Sequence, residues 1–253
     1  MMKCLNQIIC ITIFTFAVCC TSPVQAHDTL LVMDTYQAPI NSTPGLKVFS
    51  THHFLPPEEA LMSPDRLADV FFITPSSQRV SQTAKLGEQG TYICMAVPVN
   101  GFATKTPDGY QRGKNKKEVD HPVLCSSSIK YAKAVFTVGQ AGGDAYAKPL
   151  GQEIEIIPLK DPAILKTGDT LPVKVMKEGQ PARTYVYGTY DAFSDEKDTF
   201  AYTTRTDKQG VAKIKLIHDG TWVLIAKIEE PFPDSAVCDV QRWAASLTFH
   251  VDK

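Results

Sequence analysis

The chain has 253 residues, 43% of them hydrophobic and 21% charged, with 26 basic side chains against 27 acidic ones. That is the balance of a folded globular protein, which excludes a disordered chain. A nucleic-acid binder needs a basic surplus, and a formal net charge of −1 supplies none.

In chain order, residues 1–26 read as an export signal. Lys3 gives a positive start, and 8–20 is an apolar run of the length a signal-peptide core requires. Val24-Gln25-Ala26 then puts small residues at the two positions a signal peptidase reads. The run is short for a membrane span and is followed by polar Thr21-Ser22-Pro23. A lipoprotein signal fits less well, because Val18 and Cys19 stand where a small residue should precede Cys19 or Cys20. Cleavage after Ala26 would make His27 the first residue of a soluble, periplasmic protein. It would also remove Cys4, Cys10, Cys19 and Cys20 of the seven cysteines. Cys94, Cys125 and Cys238 remain, and an oxidising compartment favours one disulfide and one free thiol among them. Cys94 falls in a strand-like segment and Cys125 just ahead of another, with a long polar stretch between. The expected bridge is therefore Cys94–Cys125, with Cys238 free.

Residues 27–150 form a first β domain in this reading, with strands at 29–33, 46–50, 70–74, 91–97 and 130–138. Residues 100–122 turn polar and basic and read as a long solvated loop, with a functional flap as the lesser reading. Residues 151–253 form a second domain with clearer alternation. Seven strands are expected there, at 153–156, 171–176, 185–187, 200–204, 211–217, 222–228 and 247–251, separated by turn signals such as Asp207-Lys208-Gln209-Gly210. Seven short strands in about 100 residues is the spacing of an immunoglobulin-like sandwich. The fold class is thus all-β, two sandwich-like domains.

Several segments also carry a family resemblance. They are Ala26-His27-Asp28, His52-His53-Phe54-Leu55-Pro56, Tyr131-Ala132-Lys133-Ala134, and the run from Leu150-Gly151-Gln152 through Lys160-Asp161-Pro162. Gly168-Asp169-Thr170-Leu171-Pro172-Val173, Gly220-Thr221-Trp222 and Ala245-Ser246-Leu247-Thr248-Phe249 continue the series. In order and spacing the chain resembles the bacterial periplasmic domain-of-unknown-function family often labelled nickel uptake transporter family protein. The resemblance implies a two-domain periplasmic protein with an immunoglobulin-like second domain, and a role beside a membrane metal transporter. Relatives often carry a histidine after the Trp-containing strand, where this chain reads Lys227-Ile228-Glu229, so a site using that position would be altered or smaller here.

The residues themselves support metal chemistry. An N-terminal His27 offers its amine and its ring as one chelate, and both nitrogens are partly neutral near pH 7. Such ligands suit nickel, copper and zinc. A second ligand must come from elsewhere, and His52 and His53 are the candidates. Adjacent strand residues face opposite ways, so one of them joins His27, and the resemblance favours His52. His121 and Cys238 are possible additional ligands, although a loop-surface histidine and an inert thiol are the plainer readings. His218 and His250 read as structural or exposed. No His-Glu-x-x-His, Gly-x-Ser-x-Gly, Cys-x-x-Cys or phosphate-loop pattern is present, so no enzyme is expected. The alternative to a nickel-binding uptake accessory is a metal-free recognition or adhesion module.

Overall fold

The computed structural model describes residues 27–52, 54 and 60–253. The signal-peptide reading of 1–26 lies outside the described residues. The architecture is all-β, with only single 3-10 turns for helices among the described residues, none long and apolar enough to cross a membrane.

The second half is built from β10 (Ile154–Pro158), β11 (Thr170–Lys177), β12 (Gln180–Pro181), β13 (Tyr185–Tyr190), β14 (Tyr202–Arg205), β15 (Val211–Lys215), β16 (Gly220–Pro231) and β17 (Val240–Val251). Strands β10, β11 and β15 form one antiparallel sheet, and β14-β13-β16-β17 run in order through another. This is the A-B-E and C′-C-F-G arrangement of an immunoglobulin-like sandwich. Alternation drives it. Leu171, Val173 and Val175 of β11 face Trp222, Leu224, Leu247 and Phe249 in one core, while Lys213 and Lys215 of β15 point to solvent. The turn at Asp207 is stapled by its own carboxylate, which accepts from Gln209 N at 2.8 Å and Val211 N at 2.9 Å. Gly210 takes φ +75° there, and a Cβ would lie 2.7 Å from the Val175 carbonyl oxygen, so only glycine fits without movement.

The first half contains β1 (Asp28–Met33), β2 (Gln37–Ala38), β3 (Leu46–Thr51), β4 (Leu67–Ile73), β5 (Arg79–Ser81), β6 (Gly90–Pro98), β7 (Gly101–Thr106), β8 (Gly109–Arg112) and β9 (Leu124–Val138). Strand β9 is its spine, with β6 antiparallel on one side. On the other side β17 pairs with it in parallel, from Val240↔Ser126 to Thr248↔Ala134. One sheet therefore runs through both halves. A buried ion pair, Lys133 to Glu155, ties β9 to β10 as well.

The antiparallel ribbon β1–β3 lies across a face of that sheet, enclosing Leu31, Val48, Phe72, Tyr92 and Phe136 in a second core. Side chains of the sheet meet successive outward carbonyls of β1. Thr248 Oγ1 donates to Leu31 O at 2.5 Å, Ser246 Oγ to Thr29 O at 2.6 Å, and Lys130 Nζ to His27 O at 2.6 Å. These three bonds lead the start of the ribbon over Lys130 and Lys227, which flank Ala244 across the sheet.

Two expectations are corrected. The polar stretch 100–122 is largely a hairpin, β7–β8, whose turn is Thr106-Pro107-Asp108-Gly109 and whose first strand pairs with β9. Strand β8 is exposed on both faces, so no alternation marked it; the Pro-Asp-Gly turn was its signal. The disulfide joins Cys125 to Cys238, with Cα atoms 4.9 Å apart, and Cys94 is free and buried. The reason is the length of β9. Cys94 sits opposite Ala134, nine residues beyond Cys125 on that strand, which at about 3.3 Å per residue is roughly 30 Å away. Cys238, now a disulfide partner, is removed as a metal ligand.

Candidate metal centre

Asp28 opens β1 and pairs with Thr51 at the end of β3, so the next step of the register brings His27 opposite His52. Directly opposite residues share a face of an antiparallel pair, and the two imidazole rings lie 4.4 Å apart. The third contributor comes from the second half. The β13–β14 connection passes over the ribbon's end, where Asp198 N donates to His52 O at 3.0 Å and Asp198 Oδ1 lies 3.2 Å from His52 Nδ1. A carboxylate on Nδ1 leaves Nε2 with a free lone pair and fixes the ring, the usual support of a metal-bound imidazole.

Asp28, His52 and Asp198 each present a possible ligand atom, all within 4.8 Å of one another. Asp28 is 4% exposed and His52 half-buried. Burial raises the Asp28 carboxyl above its ordinary range, opposed by Lys227, Lys130 and His52; the Lys227 ammonium stands 2.8 Å from Oδ2. Desolvation, then the charges of His52, Lys130, Arg112 and Arg66, hold the His27 imidazole below its ordinary value. The lowering favours the neutral ring, the form that ligates. Burial drives Lys130 down to about 8. Mixed imidazole and carboxylate donors are of the type that can hold a first-row divalent ion.

The rings of His27 and His52 are therefore brought side by side. His53 lies outside the described residues. His121 is exposed at φ +49° ahead of β9 and belongs to no ligating cluster among the described residues. His218 stacks on Tyr190 at 4.4 Å and His250 on Tyr36 at 6.1 Å, both outside the cluster. Sequence reasoning missed Asp28 and Asp198. The first stood in plain view beside His27; the second lies 146 residues from His52 in a connection with no motif. Lys227 of β16 falls inside the site as the partner of Asp28.

Fold and site define an all-β protein with an immunoglobulin-like second half and a His/Asp cluster at the end of an N-terminal ribbon. A family model matches residues 24–230, and the chain belongs to that family, the domain of unknown function DUF4198. No curated protein matches it. Among solved structures it is similar to the D0-D1 domain of Intimin, at 15% identity over 89% of this chain and 99% of that one, with a TM-score of 0.23.

Proposed function

We propose that this is a periplasmic metal-binding protein that carries a transition-metal ion, nickel by preference, as cargo for uptake, passing it to a membrane transporter. The observation that carries the reading is the pairing of the His27 and His52 rings at 4.4 Å beside the Asp28 and Asp198 carboxylates. With cleavage after Ala26, the His27 amine joins its own ring, and His52 Nε2 and Asp28 complete a nitrogen-rich set. Asp198 positions His52. Copper and zinc would satisfy the same donors, and copper binds more tightly at almost any nitrogen site, so affinity in solution does not identify the physiological ion.

Calorimetric titration of nickel into the exported protein tests this. One ion per chain is expected. His27→Ala and His52→Ala should each weaken binding by more than the roughly 10–100-fold that loss of a supporting partner costs, and Asp198→Asn by about that amount. His53→Ala, His218→Ala and His250→Ala should leave it unchanged. Equal affinity in the wild type, His27→Ala and His52→Ala would sink this site and favour a metal-free recognition module.

A further inference from the structure

The surroundings of this cation site are cationic. Lys227 is spent on Asp28 at 2.8 Å and Arg242 on Glu229 at 2.6 Å. Three further cations stand around His27 and form no ion pair among the described residues. Lys130 Nζ holds the His27 carbonyl, and Arg66 Nη2 reaches only Ser50 Oγ at 3.4 Å, beside the strand position of Thr29. Arg112 is exposed at the end of β8, and its charge is felt both by His27 and by Arg66, whose pKa is lowered by burial and then by Arg112. Against these three charges the described residues set Asp65, next to Arg66 in sequence, Asp198, and an Asp28 already paired with Lys227. A bare divalent ion would add to the positive excess rather than relieve it.

Resting on the metal reading above, we propose that the ion is bound as a complex with a small polycarboxylate, whose outer carboxylates are held by Arg66, Arg112 and Lys130. The amine and ring of His27, with His52 and Asp28, fill about four positions of a six-coordinate shell, leaving about two for a chelating hydroxy- or dicarboxylate. The ligand's remaining charge meets two guanidiniums that repel one another, and each can accept a carboxylate in a two-pronged bond. The chelator supplies negative charge against the cationic excess of the described residues.

The test is equilibrium dialysis of the exported protein with radiolabelled citrate, with and without equimolar nickel. One citrate retained per nickel is expected, with little retained when nickel is left out. The double variant Arg66→Gln/Arg112→Gln should retain citrate at least tenfold less well yet bind nickel added alone severalfold more tightly, because two repelling charges are gone. If citrate strips nickel without being retained, or if the double variant retains it as well as wild type, the proposal is overturned while the metal site stands. If nickel binds neither alone nor with citrate, the metal reading falls and this inference with it.

Discussion

Asp239 accepts from Cys125 N at 2.7 Å and from Lys116 Nζ at 2.8 Å, beside the disulfide. Burial works to raise its pKa, but the Lys116 bond, the Cys125 N–H and the Lys116 charge outweigh it and hold the carboxyl below its ordinary 3.8. A depressed folded-state pKa means that the unfolded chain binds the proton first. The stabilisation is fully present above about pH 3.8 and disappears as pH falls through the folded value. Asp239→Asn should therefore lower the urea midpoint at pH 6, and the gap from wild type should shrink by pH 3. A constant gap would show that the carboxylate's charge is not involved. At the same scale, His27 and His52 were legible because a histidine after a cleavage signal and a His-His pair are unusual local patterns. Asp198 was not, because a carboxylate in a polar connection looks like any solvated residue until the fold brings it to His52 Nδ1.

At the scale of elements, the site depends on how β1 lies on the sheet. Ser246 and Thr248 are 3% and 0% exposed, and their hydroxyls are the donors to Thr29 O and Leu31 O. Removing one leaves a buried carbonyl short of a partner, at about 1–3 kcal/mol. Thr248→Val and Ser246→Ala should each destabilise the protein by that order in urea unfolding. Ser246→Ala should also weaken nickel binding severalfold, although it touches no ligand, by loosening β1 two residues from His27. Unchanged affinity in a folded Ser246→Ala protein would mean that β3, Asp198 and the remaining bonds from Thr248 and Lys130 hold the site without it. The strands themselves were largely legible, since alternation marks a half-buried strand: β1, β3, β11, β15 and β16 lie close to where the pattern put them. The β7–β8 hairpin and the first third of β9 were not, because both are polar and partly solvated, and the misplaced start of β9 is what produced the wrong disulfide.

At the scale of the whole molecule, β17 beside β9, the Lys133–Glu155 pair and the Cys125–Cys238 bridge bind the first half to the second. The bridge spans 113 residues, and closing so long a loop in the unfolded chain is worth about 4–5 kcal/mol in the chain-entropy account. Parallel pairing between strands more than a hundred residues apart leaves no periodic trace, so this union was invisible in the sequence even though the strands were not. It matters for the proposed function because the cluster is assembled from both halves: His27, Asp28 and His52 from the first, and Asp198, which positions His52, from the second. The disulfide occupies Cys125 and Cys238, Cys94 is buried with its thiol pushed up by burial, and among the described residues no cysteine belongs to the His/Asp cluster. X-ray absorption of the protein beginning at His27, loaded with nickel, reads the proposed ligand set directly. Expected are a nitrogen and oxygen shell at about 2.1 Å, outer scattering from two imidazole rings that falls to one in His52→Ala, and no sulfur. A sulfur shell near 2.3 Å, or an imidazole signal unchanged in His52→Ala, would contradict it.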